Sequence, residues 1–291
     1  MKWSIPAKTF LLGEYAAVAE ASAIVLTTAP CFELSLTAEQ GLLGIHPESP
    51  AGLWWQQQAL NQGLAWHDPY AGRGGLGASS AQFLASYLAS CSMQNKTPGL
   101  NTMLSAYYQS SWTGKGLRPS GYDVIAQSQQ GCVYINKQNR IIQSYDWPFH
   151  DLAFFLIHTG VKLATHHHLQ DTALPPKIDY LSALVDEAKQ AFEKADSQQL
   201  ITCINRYHEQ LAQLNLVAEH SLKLIKQFKE YPEVLAVKGC GALGADVLLL
   251  VTSRTNASSL NNKLNAENRT LLATENSFAF TKMHSLHIDW H

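Results

Sequence analysis

The sequence predicts an α+β protein built as two lobes that meet near residue 150, and three observations carry that reading. The first half alternates turn residues with short apolar runs rich in Val, Ile, Thr and Phe, which read as strands. Residues 178–230 instead space their apolar side chains by three and four, the stripe of amphipathic helices. At 291 residues, 46% hydrophobic and 15% charged, the chain suits one large domain or two smaller ones with a shared cleft, and it is too apolar to be disordered.

Taken in order, residues 3–12 and 23–36 read as strands. Residues 53–64, with Trp54, Trp55 and Leu60, read as the start of a helix whose tryptophans serve packing. Residues 79–91 place Ala81, Phe83, Leu84 and Leu88 on one helical face, and residues 131–136 and 140–145 form a hairpin around a polar turn. A strand over 151–157 leads into a polar loop that carries His166, His167 and His168. Two helical stripes follow, Ile178, Leu181, Leu184, Val185, Ala188 and Phe192, then Leu200, Ile201, Ile204, Leu211 and Leu214. Residues 234–251 read as strand, glycine turn and strand, residues 254–270 as a last helix, and residues 277–290 as a final strand. No repeat of 20–50 residues and no low-complexity linker interrupts this order. The domains are therefore expected at 1–150 and 151–291.

A net charge of −2 argues against non-specific binding to nucleic acid or to an anionic membrane surface. No run of about 18 uncharged apolar residues would span a bilayer, and the first six residues lack the apolar core of a signal peptide. Five scattered cysteines, Cys31, Cys91, Cys132, Cys203 and Cys240, contain no CxxC pair and read as reduced, buried thiols. The thiols point to a cytoplasmic protein, expected as a monomer or homodimer.

The most informative segment is Ala71-Gly72-Arg73-Gly74-Gly75-Leu76-Gly77-Ala78-Ser79-Ser80. Gly72, Gly74 and Gly77 satisfy G-x-G-x-x-G, but a dinucleotide fingerprint needs a strand before it and an acidic residue about 20 positions later. Here Trp66-His67-Asp68-Pro69-Tyr70 precedes it and Asn95-Lys96-Thr97-Pro98 occupies the later position, so both requirements fail. A Walker A loop is absent. Two readings stay open, an ordinary loop and a backbone nest at a helix N-terminus, where converging N–H groups and the helix dipole attract phosphate. The hydroxyls of Ser79 and Ser80 suit phosphate, Mg²⁺ or simple helix capping.

Three segments in order resemble the GHMP kinase superfamily of ATP-dependent small-molecule phosphotransferases. Pro6-Ala7-Lys8-Thr9-Phe10-Leu11-Leu12-Gly13-Glu14-Tyr15 is similar to its first motif, and Gly75-Leu76-Gly77-Ala78-Ser79-Ser80 to its second, G-L-G-S-S-A. Lys238-Gly239-Cys240-Gly241-Ala242-Leu243-Gly244-Ala245-Asp246 is similar to the third, with Leu243 and Ala245 standing where the family usually has glycine. A fourth segment, Pro119-Ser120-Gly121-Tyr122-Asp123-Val124, resembles the S-G-x-D element of mevalonate and phosphomevalonate kinases. Glu14-Tyr15 in place of Glu-His, Tyr122 before Asp123, the final Asp246 and residues 159–166 resemble the phosphomevalonate kinase branch, although the chain is short for it. Mevalonate kinases carry a glutamate Mg²⁺ ligand where this chain has Trp112.

The resemblance implies a two-lobed fold, a ribosomal-protein-S5-like lobe followed by a ferredoxin-like lobe, and ATP and Mg²⁺ as cofactors. It implies Lys8 and Asp123 as the catalytic pair. Gly74, Gly75, Leu76, Gly77, Ala78, Ser79 and Ser80 would hold the ATP phosphates, with Ser79 as the metal contact. Glu14, Tyr15, Arg118, Ser120, Lys162, Thr165 and Gly241 would face the acceptor, phosphomevalonate first and mevalonate second. A diphosphomevalonate decarboxylase, and a catalytically impaired ATP-binding protein with an altered third motif, are the alternatives. Lys115, Arg118 and Lys162 are candidate clamps for an anionic acceptor, Arg118 foremost because a guanidinium meets phosphate bidentately. Three adjacent histidines do not converge on one metal ion, so Thr165 is expected to cap a helix with His166–His168 in its first turn.

Overall fold

The computed structural model describes residues 1–161 and 178–278. A six-stranded sheet is organised by the long strand β2 (Ala23–Thr37). Along one edge β2 pairs antiparallel with β1 (Lys2–Leu12). Along the other it pairs first with β5 (Cys132–Asn136) and then with β4 (Gly63–His67). The two-residue β3 (Leu42–Leu43) lies parallel to β4, and β6 (Ile141–Tyr145) closes the expected hairpin with β5.

Four helices cover this sheet: α1 (Pro50–Gln57), α2 (Ala78–Met93), α3 (Leu100–Ser111) and α4 (Tyr122–Gln127). Helices α2 and α4 pack on β1 and β2, while α1 and α3 pack on α2. The helix expected over 53–64 starts earlier and stops sooner. Ser49 caps the Gly52 N–H and Pro50 takes the first helical position, while residues 63–67 turn into β4. The tryptophans do pack: Trp55 is buried and Trp54 meets the rings of Phe83 and Tyr87.

The second sheet runs β10 (Leu271–Thr274), β7 (Leu152–His158), β9 (Val247–Ser253), β8 (Val234–Cys240), antiparallel throughout. The helical run divides into α5 (Ile178–Lys194), α6 (Ser197–Gln213) and α7 (Glu219–Lys229). Ala195 turns left-handed with φ 52°, and Asp196 then accepts the Gln199 N–H to start α6. Asn215, with φ 57°, ends α6 in the same way. The helix expected over 254–270 is shorter, a 3-10 turn followed by α8 (Ala257–Ala266), and residues 271–274, given no element by the sequence, form β10. Of the strand expected over 277–290, Ser277 lies in a 3-10 turn and Phe278 bridges to Thr28. The remainder lies outside the described residues.

The two sheets are joined at several points. Helix α5 reaches β2, where the Ser182 hydroxyl accepts the Ser22 N–H and Asp186 accepts from Tyr134. Of the cysteines, all but Cys31 are buried, and none forms a disulfide.

Candidate active site

Lys8 sits in the middle of β1, opposite Thr27, and its N–H donates to the Leu76 carbonyl at 2.9 Å. That bond ties the strand to the glycine turn. Gly77 stands at the N-cap of α2 with φ 77°, a conformation that favours glycine. It also lies against the lysine: a Cβ there would come within 2.6 Å of Lys8 Cγ and 2.9 Å of Cε. The site therefore needs glycine at 77 for its backbone and for the stem of Lys8.

The Lys8 ammonium lies 3.1 Å from Asp123 Oδ2. Asp123 occupies the first turn of α4, just after Gly121 at φ 75°, where the helix dipole favours a negative charge. The Lys8 side chain is 8% exposed and that of Asp123 31%, so water reaches the carboxylate side of the pair. The N-terminus of α2, whose first N–H groups have no partner within the helix, starts beside the same lysine. A cation, a helix N-terminus and a part-exposed carboxylate thus share one small region, an arrangement whose chemistry suits an anion.

The second glycine segment touches the third across the two lobes. A Cβ on Gly75 would meet Val247 Cγ2 at 2.6 Å and Asp246 Cβ at 2.9 Å. The third segment is held from behind. The Ala218 N–H bonds the Leu243 carbonyl, the Ser221 hydroxyl the Gly244 carbonyl, and the Thr159 hydroxyl the Ala245 carbonyl. Leu243 adopts φ 54°, so it keeps the left-handed backbone that its expected glycine would supply. Ala245 is right-handed at φ −82° and needs no glycine.

Several expected contacts lie elsewhere than anticipated. Glu14 and Tyr15, expected on the acceptor side, are both buried, and their polar groups bond residues of the third glycine segment. Glu14 forms a fully enclosed ion pair with Lys238, and the Tyr15 hydroxyl accepts the Leu243 N–H at 3.1 Å. Burial pushes the Glu14 carboxyl up and the Tyr15 phenol to about 12. Ser80 turns inward: its hydroxyl donates to Gln127 Oε1 at 2.7 Å and to the Gly77 carbonyl at 3.0 Å, so it closes the turn. Leu76 contributes only its backbone, its side chain being core. Gly74 and Ala78 are half-buried along the turn, while Ser79 is exposed in the first turn of α2 and Gly241 faces open space.

Arg118 bonds Glu20 at 2.7 Å and stacks 4.4 Å over the Tyr108 ring. The Ser120 hydroxyl accepts the Tyr122 N–H, making it a turn residue. Lys162, Thr165 and the histidines lie outside the described residues. Two residues were not anticipated. Lys137, half-buried with its side chain turned inward, bonds the same Glu20 oxygen at 2.6 Å, the Tyr108 hydroxyl at 2.9 Å and the Ser120 carbonyl at 3.2 Å. Its hydrogen bond, with the added charge of Arg118, holds the Glu20 carboxyl below its usual range. Gln127 closes the floor of the glycine turn. Neither belongs to a motif, and a lysine just beyond an apolar strand is the only local signal.

Among the described residues no group of three or more His, Cys, Asp or Glu could hold a metal ion. Grooves of about 320 Å³ beside Trp54 and about 660 Å³ beside His150 and Arg254 include neither Lys8, Asp123 nor the glycine turn.

No protein-family model matches the sequence, and no curated protein does. Solved structures do match. Streptococcus pneumoniae phosphomevalonate kinase in complex with phosphomevalonate and AMPPNP superposes with a TM-score of 0.77 at 14% identity, over 94% of this chain and 99% of that one. Methanococcus jannaschii mevalonate kinase gives 0.72 at 14%, over 96% and 98%. Lactococcus lactis galactokinase complexed with galactose gives 0.71 at 10%, over 94% and 92%. All three are small-molecule kinases by name, and this chain has their two-lobed α+β fold.

Proposed function

We propose that this chain is an ATP-dependent GHMP-type kinase of the mevalonate pathway whose acceptor is phosphomevalonate. The observation that carries the kinase reading is the 3.1 Å Lys8–Asp123 pair set against the glycine turn and the start of α2. The structure bound to phosphomevalonate and AMPPNP has the same fold, which supports ATP as donor. We read residues 1–150 as the ATP lobe and 151–291 as the lobe that completes the cleft.

ATP would supply the phosphoryl group, and Mg²⁺ would neutralise charge between its phosphates. The residues suit a metal held mostly by the nucleotide: Ser79 is exposed beside the helix start, and Mg²⁺ commonly takes one or two protein ligands besides phosphates and water. The first N–H groups of α2 would bind the phosphates. Lys8 would offset charge on the transferred oxygens, and phosphoryl transfer needs such positioning more than covalent help.

The role of Asp123 follows from the acceptor. A hydroxyl needs a proton acceptor, whereas a phosphate with a second pKa of about 6 is already mostly dianionic, and Asp123 would then orient Lys8. Arg118 and Lys137 put two cations around the single Glu20 carboxylate near Ser120, which favours an anionic acceptor. Trp112 is part-exposed and donates its indole N–H to the Lys115 carbonyl, so it replaces the glutamate of mevalonate kinases with a side chain unable to bind Mg²⁺.

The test is a coupled assay of ADP release with mevalonate, phosphomevalonate and diphosphomevalonate. Turnover with phosphomevalonate at the highest kcat/KM is expected. No ADP from any of the three removes the pathway assignment, and a clear preference for mevalonate replaces the acceptor.

A further inference from the structure

We infer that Gln127 is a positioning residue for phosphoryl transfer: its carboxamide fixes the spacing between Lys8 and the glycine turn. The inference rests on the ATP reading above. Gln127 ends α4, one helical turn beyond Asp123, and its side chain is completely buried.

All three of its contacts lead to the site. Nε2 donates to the Pro6 carbonyl at 2.9 Å and to the Gly77 carbonyl at 3.0 Å, and Oε1 accepts the Ser80 hydroxyl at 2.7 Å. Pro6 lies two residues before Lys8, where the register of β1 on β2 slips between Ile5 and Ala7. Gly77 is the glycine on which the Lys8 stem rests, and a Cβ there would lie 3.0 Å from Gln127 Nε2. Ser80 belongs to the first turn of α2. One amide therefore joins the strand that carries Lys8, the turn beside it and the helix start.

The polarity of the residue matters as much as its size. Bonding two carbonyls and one hydroxyl at once takes two N–H donors and one acceptor, which an amide supplies and no other side chain of that shape does. A glutamate would turn oxygen toward both carbonyls, and a methionine would remove all three bonds, leaving the Gly77 carbonyl only its Ala81 N–H and Ser80 hydroxyl donors and the Pro6 carbonyl no longer tied to the turn. Because Asp123 stands on the same short helix, α4 holds the partner of Lys8 at one end and the staple of the turn at the other. Small displacements of such a constellation cost about a hundredfold in rate, which sets the expected effect.

The experiment compares wild type, Gln127→Glu, Gln127→Met, Lys8→Ala and the double variant Lys8→Ala/Gln127→Met. Each is titrated by fluorescence with mant-ATP plus Mg²⁺, assayed for ADP release with phosphomevalonate, and unfolded in urea. Folded Gln127→Glu and Gln127→Met should lose about a hundredfold in kcat and several-fold in mant-ATP affinity, with KM for the acceptor within about twofold. In the Lys8→Ala background Gln127→Met should cost less than about threefold, because the group to be positioned is gone. A hundredfold loss persisting there, or a folded Gln127→Met with wild-type kcat and affinity, overturns the inference. Should both Gln127 variants fail to fold, Ser80→Ala carries the same cycle with an expected loss of about tenfold, and no loss overturns it. Wild type that binds no mant-ATP overturns the ATP reading and this inference with it, whereas binding with constants unchanged across the variants overturns this inference alone.

Discussion

Two lysine–carboxylate pairs tie β1 and the residues just after it to elements beyond β2, and they differ in their access to water. Lys8 and Asp123 are 8% and 31% exposed, while Lys238 and Glu14 are 0% and 2%. The first pair faces a helix N-terminus and a turn of glycines. The second is enclosed between the sheets with Cys240 Sγ at 3.8 Å and the backbone of the third glycine segment beside it. A charge that water and ligand can reach exchanges partners during a reaction. A charge sealed with its counter-ion holds two surfaces in register, since separating it leaves an unpaired ion in a medium of low dielectric. On the proposed function, the same two residue types serve chemistry in one place and assembly in the other.

The largest expected effect falls on the open pair. Lys8→Ala should lower ADP release by about a thousandfold, as removal of a preorganised charge stabiliser does, with the variant still unfolding cooperatively in urea. The buried pair should respond the other way round. Lys238→Met alone strands the Glu14 carboxylate and should cost about 3–5 kcal/mol of stability, with kcat of the folded fraction within about tenfold of wild type. Adding Glu14→Leu should recover most of that loss, because an apolar pair of similar volume needs no counter-ion. If Lys238→Met instead left stability intact and abolished turnover, the distinction between the two pairs would be lost.

How much of this was legible in the sequence follows the same division. The glycine turn announces itself by composition, and the strands over 3–12, 23–36, 131–136 and 140–145 by apolar runs that propensity alone identifies. The ion pair of Glu14 spans 224 residues, and no local pattern reveals that its carboxylate is sealed, so its place beside a motif suggested an acceptor contact instead. Ser80 looked like a ligand for the same reason, its partner Gln127 belonging to no motif. Helix α3 escaped although its signal is present: Leu100, Met103, Leu104 and Tyr107 are its buried face, at helical spacing. The strand at 271–274 falls between the helix and the strand that the sequence suggests, and four residues are too few for an apolar run to stand out.

A histidine beside the sealed pair offers a smaller test. His208 on α6 is buried, and its ring is pushed down to about 4 by burial first, then by Lys229 and Lys238. The folded protein therefore keeps this histidine neutral at a pH where the unfolded chain, near 6.5, takes up a proton. Stability from this source is complete above about pH 6.5 and falls as pH drops from there toward 4, by at most about 1.4 kcal/mol per unit. Urea unfolding of wild type against His208→Gln across that window should show the variant with the flatter profile. Equal slopes would mean that the enclosure of the Lys238 side is looser than the buried pair requires.

The smallest effect is expected at Leu243, which marks the boundary between the two pairs. Its N–H is bonded by Tyr15 on the sealed side, and its loop leads to Asp246 beside Gly75 on the open side. A left-handed leucine costs about 1–2 kcal/mol, and the glycine substitution relieves that strain while adding freedom to the unfolded chain worth up to about 1 kcal/mol. Leu243→Gly should therefore shift stability by less than about 1 kcal/mol in either direction and leave kcat within about twofold, because the backbone already has the shape that glycine would allow. A gain of tenfold or more in kcat on this substitution would show that the leucine restrains the open site, and that the sealed side of the loop is not independent of the chemistry.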